Sequence, residues 1–70
     1  LLFKQQRYEL ALQHVEQAIN VNATPRYWRL KGQLCEHLEM VPDAIEAYQQ
    51  VLLLNEQDSI AQDALQRLRP

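Results

Sequence analysis

Arg26, Arg29, Gln33 and His37 follow one another at steps of three and four, the spacing that places side chains on one face of a helix. The chemistry open to such a face is recognition. Two guanidinium groups three residues apart suit a bidentate grip on a carboxylate, whether an acidic side chain or a free C-terminus. Glu36 shares the face, so the stripe is mixed rather than purely basic. Covalent chemistry has less to work with. Ser59 is the one serine and has no histidine near it in sequence, and its better use is at a turn or cap. Cys35 falls on the apolar side of the same helix, and His37, two residues on, points elsewhere. No Cys-x2-Cys, His-x3-His or Glu-x-x-His spacing occurs, so no metal site is expected. A single glycine cannot build a phosphate-cradling loop. The sequence therefore reads as neither an enzyme nor the carrier of a cofactor.

The elements that must position the recognition stripe are helices. The chain has 70 residues, 47 % of them apolar, and its leucines and glutamines far outnumber its β-branched residues. A net charge of −2 gives no broad footprint for nucleic acid. A DNA-reading helix built on Arg26, Arg29 and Gln33 is opposed by Glu36 and Glu39 on the same segment. No apolar run reaches the ~18 residues of a membrane span, so no insertion is expected. The chain shows no signal-peptide pattern, which favours the cytoplasm. One cysteine cannot close an intramolecular disulfide. A chain this short buries only roughly 60 % of its unfolded surface, which leaves a lone domain marginal and inclined to lean on neighbours.

The sequence also repeats itself. Residues 9–22 and 42–55 align at an offset of 33, pairing Ala11 with Ala44, Leu12 with Ile45, Val15 with Tyr48, Ala18 with Val51 and Ile19 with Leu52. Each copy presents one apolar face at helical periodicity. Thr24-Pro25 reads as an N-cap followed by proline at the first helical position, Val41-Pro42-Asp43 as a similar start, and Asn55 as a stop. Asp58-Ser59 reads as the cap of a closing helix. Helices are expected near residues 1–5, 8–21, 25–39, 42–54 and 58–68. The first of these boundaries is the weakest, because Lys4-Gln5-Gln6-Arg7 contains no breaker. Links of two to four residues make neighbouring helices antiparallel.

Trp28 and Gly32 on one helix, followed by Ala44 and Tyr48 on the next, resemble the W-x2-L-G-x2-Y and A-x3-F motifs of the tetratricopeptide repeat. Ala11 repeats the place of Ala44 one unit earlier. Lys31, Cys35 and Glu39 stand where the family has Leu, Tyr and the Gly of the inter-helix turn, with Gln6 at the matching turn upstream, and Ala23 and Glu56 occupy the place of its terminal Pro. The resemblance implies an all-α fold of antiparallel helical hairpins stacked as a right-handed solenoid. It divides the chain into a partial repeat (1–24), a complete repeat (25–57) and a closing helix (58–70), and makes the chain look like a piece of a longer protein.

By that resemblance Arg26, Arg29, Gln33 and His37 line a concave groove that receives a peptide or a partner helix. The family's carboxylate clamps favour Lys and Asn where Arg29 and Gln33 stand, so a general preference for acidic peptides is implied instead. Leu1, Leu2, Phe3 and Leu53 form an alternative surface, for self-association or for stacking on an adjacent repeat. Lys31 lies near the centre of the apolar arc of Tyr27, Trp28, Leu30, Leu34, Cys35 and Leu38, with its stem expected to pack and its ammonium to reach out.

Overall fold

A computed structural model describes residues 2–69, with side chains from 6 to 69. Among these residues the structure is all-helical: α1 (Leu2–Val21), α2 (Pro25–His37), α3 (Val41–Leu54) and α4 (Ser59–Leu68). Local chemistry accounts for most boundaries. The Thr24 side chain accepts from the Tyr27 N–H, and Pro25 supplies a first helical position that needs no donor. Asp58 caps α4 by accepting from the Ala61 N–H at 3.0 Å. Asn55 closes α3 with its own N–H on the Val51 carbonyl.

The expected break between residues 1–5 and 8–21 is absent, and α1 is one helix. Lys, Gln and Arg are good helix formers, and continuing the helix keeps each N–H paired, so nothing at Lys4–Arg7 favours a turn.

The turn after α2 ends it at His37, two residues before the expected Glu39. There the Met40 N–H bonds the Cys35 carbonyl and the Glu39 N–H bonds the Glu36 carbonyl, while Glu39 sits at φ 59°. These are the paired bonds of a Schellman stop, whose left-handed position favours glycine because a Cβ crowds the backbone there. Glu39→Gly is expected to stabilise the protein by about 1 kcal/mol, which in a domain this size raises the melting temperature by roughly 4–8 °C. Thermal denaturation followed by circular dichroism checks the sign.

Consecutive helices pack on each other, and α1·α2, α2·α3 and α3·α4 are the main contacts. Tyr8 meets His37 and Glu16 meets Lys31, which fixes α1 and α2 as antiparallel. The three-residue link between α2 and α3 makes that pair antiparallel as well, and the Tyr48 hydroxyl of α3 donates to Glu36 of α2 across it. By contrast, Arg29 meets Asp58 and Glu36 meets Arg67, so α2 and α4 run parallel.

The core centres on α3, which lies between α2 and α4. Ala44, Tyr48 and Val51 are fully buried there, with Cys35 of α2 and Ala61 and Ala64 of α4. The matching face of α1 is less enclosed: Leu12 and Val15 are buried, but Ala11, Ala18 and Ile19 only half so. Equivalent positions differ because α1's main contact is with α2 alone, whereas α3 packs against two helices.

Gly32 makes the α2–α3 approach possible. A Cβ placed on it would lie 2.8–3.0 Å from three atoms of the Tyr48 ring. Trp28 contributes less than its motif position implies, being half-buried at the edge of the core with the Lys31 ammonium 5.2 Å from its ring centroid. Leu30, placed on the apolar arc by periodicity, is exposed.

Candidate functional site

The polar face of α2 meets α4 along a seam of two ion pairs. Arg29 donates to Asp58 at 2.5 Å, and Arg67 donates to Glu36 at 2.8 Å. The Asp58 carboxylate thus holds both the first turn of α4 and a guanidinium from α2, although it is 7 % exposed. Burial pushes its pKa up, but the Ala61 N–H and Arg29 more than offset this and hold the carboxyl below its ordinary range. Glu36 is arranged similarly. Burial raises it, while Arg67 and the Tyr48 hydroxyl, which donates to the other carboxylate oxygen, bring it below its usual value. Burial of the ring, and after it the same contact with Glu36, push the Tyr48 hydroxyl well up, so it stays a donor.

This seam changes the reading of the recognition stripe. Arg29 does not stand free beside Arg26 to grip an external carboxylate, because Asp58 already supplies one. Asp58 itself is a buried anchor rather than part of a solvating surface. Arg26 and Gln33 are exposed. His37 is exposed at the other end of α2 and stacks on Tyr8, with ring centroids 4.6 Å apart and planes within 9°. Of the stripe, Arg29 is anchored on Asp58 and His37 is stacked on Tyr8, while Arg26 and Gln33 are exposed.

The Glu36–Tyr48–Arg67 cluster and the Tyr8–His37 stack were not visible in the linear pattern. One signal did exist. Arg29/Asp58 and Glu36/Arg67 are opposite charges separated by 29 and 31 residues, as expected of parallel helices about one repeat apart.

Lys31 meets an acid of its own chain, with the ammonium 3.5 Å from Glu16 of α1. The Cys35 thiol is fully buried, and burial with the nearby Asp43 carboxylate raises its pKa, the opposite of what a nucleophile needs. Of the alternative surface, Leu53 is 77 % exposed. Leu1 lies outside the described residues, as do the side chains of Leu2 and Phe3, which belong to the first turn of α1. The antiparallel order brings Val21, Leu53, Leu54 and Ile60, all exposed, to one end of the molecule.

Among the described residues no helix is long and apolar enough to cross a membrane, and no group of three or more His, Cys, Asp or Glu is placed to hold a metal. The architecture defines a class, an all-α stack of sequential helices whose polar seam ties the first and last members of the α2–α3–α4 unit. Comparison of the chain with models of known families, with curated proteins and with solved structures found no match.

Proposed function

We propose that the chain is a tetratricopeptide-type repeat segment, part of a right-handed helical solenoid, that serves as a protein–protein interaction scaffold. The observation that carries this reading is Gly32 seated against the Tyr48 ring between antiparallel α2 and α3. A close approach at that place is what the Trp28/Gly32/Ala44/Tyr48 spacing calls for. The parallel run of α2 and α4 supports it, since first helices of successive repeats lie side by side in a solenoid.

In this reading the groove lies along α2 and α4. Arg26, Gln33 and His37 contact a peptide or helix of the partner, and Arg29, held by Asp58, shapes the floor. Arg26 is the exposed guanidinium on α2, so an acidic ligand gains most there. A capped peptide of alternating glutamate and leucine is expected to bind saturably in a fluorescence titration, and Arg26→Glu to weaken it about tenfold without changing the melting temperature. Equal binding by both forms would sink the groove assignment.

A second reading rests on the exposed end formed by Val21, Leu53, Leu54 and Ile60. Apolar groups gathered at one end fit contact with another repeat or a second copy, with no separate peptide ligand. Sedimentation equilibrium separates the two, because Leu53→Lys dissociates an oligomer built on that end and leaves peptide binding intact.

A further inference from the structure

A depression of about 440 Å3 lies between α1 and the α2–α3 turn, away from the stripe on α2. Its volume falls within the ~300–1,000 Å3 typical of ligand clefts. Leu12, Leu38 and Met40 supply apolar lining, and Glu9, Gln13 and Glu16 line it from one face of α1. No basic residue is among the six. Lys31 reaches Glu16 from α2 at 3.5 Å, and Glu9 has no ion-pair partner among the described residues.

This combination favours one kind of guest. An aliphatic stem ending in a cation covers the leucines and methionine with its methylenes and brings its charge to Glu9, Glu16 being already paired with Lys31. Lys31 already behaves this way within the chain, its stem partly covered and its ammonium shared between Glu16 and the Trp28 ring. Met40 suits the lining, being unbranched and polarisable and able to adapt its shape to what enters. Glu39, between Leu38 and Met40 in sequence, adds another acid to the same turn at a backbone position that glycine would occupy with less strain.

The geometry points to this depression as a binding site for a basic–apolar segment of a partner polypeptide, an arginine or lysine flanked by leucine-like residues. It shares no residue with the α2–α4 groove and does not depend on that reading.

The test is a nuclear magnetic resonance titration of the isotopically labelled protein with acetyl-Leu-Arg-Arg-Leu-amide, using acetyl-Leu-Glu-Glu-Leu-amide as the opposite-charge control. The expected result is saturable binding of the basic peptide at this depression, with the largest shifts at Gln13 and Met40, while the acidic control leaves those two signals unmoved and any shifts it causes fall on the α2–α4 groove. Glu9→Lys should weaken it about tenfold with an unchanged melting temperature, and Gln13→Lys should do the same. Arg26→Glu should leave it untouched, which keeps failure here distinct from failure of the groove. Binding that does not saturate, or that survives Glu9→Lys and Gln13→Lys, overturns the proposal. So does a dimer in sedimentation equilibrium that Glu9→Lys dissociates, because the occupant would then be a second copy.

Discussion

Tyr48→Ala is expected to unfold most of the chain at room temperature. Tyr48 is 1 % exposed and is the largest fully buried side chain. Removing a buried aromatic ring costs about 3–5 kcal/mol through lost transfer energy and the cavity left behind. A domain of this size has little more than that in reserve. The loss also leaves the Glu36 carboxylate with Arg67 alone. Tyr48→Phe separates the two contributions, since it keeps the ring and removes only the hydroxyl, at a cost of about 1–2 kcal/mol. Gly32→Ala probes the contact from the other side. Alanine improves helix propensity by about 1 kcal/mol, yet its Cβ would meet a ring that burial and the Glu36 bond hold in place. Overpacking of that kind costs about 1–3 kcal/mol, so the net change is destabilising. Urea denaturation of the three variants gives the order Tyr48→Ala, then the milder pair. A native-like midpoint for Tyr48→Ala would show that the core lies elsewhere.

Asp58→Ala is expected to release α4. It removes a helix cap, about 1 kcal/mol, and strands Arg29 without its carboxylate. Arg29 is partly exposed and can recover water, so the total is roughly 2–3 kcal/mol rather than the larger figure for a fully buried pair. Hydrogen exchange should show lost protection confined to Ser59–Leu68 at first. Asp58→Asn caps as well as aspartate and lacks only the charge, so it should lie between the two.

Acid has the same target. Asp58 and Glu36 both titrate below their unfolded values, so their contribution is complete above the ordinary carboxylate range and is lost as pH falls through the folded values. Stability should hold from pH 7 to about 5 and decline below about 4. The decline should be shallower in Asp58→Ala, and an equal slope in both proteins would assign acid sensitivity to other groups.

Several elements of this molecule could be read without coordinates because their causes are local. Thr24-Pro25 and Asp58-Ser59 act within one turn of helix, so their residue types alone name the boundaries. The 33-residue offset likewise forecasts which faces are apolar, since burial follows helical periodicity. The break proposed at Lys4–Arg7 failed for the converse reason. It rested on the registration of repeats, and no local residue demands a turn there. Of the candidate groove, the residue types at 26, 29, 33 and 37 were legible, but not which of them are already engaged.

Those engagements belong to the tertiary structure. Whether Arg29 faces solvent or a carboxylate depends on Asp58, 29 residues away, and no periodicity within α2 contains that information. Ala11 and Ala44 hold the same register, yet one is half-buried and the other fully buried, because α3 is flanked by two helices and α1 packs mainly against one. Tyr48 rather than Trp28 became the enclosed aromatic through the bare backbone of Gly32 opposite it. The sequence by itself determined the starts of α2 and α4 with their Thr24 and Asp58 caps and most of the apolar faces, all interactions among residues within a few positions of one another. Packing decided which charges pair, which equivalent sites are enclosed and that Glu16 of α1 meets Lys31 while Glu9 has no ion-pair partner among the described residues, because each of these is a competition between groups brought together only by the fold.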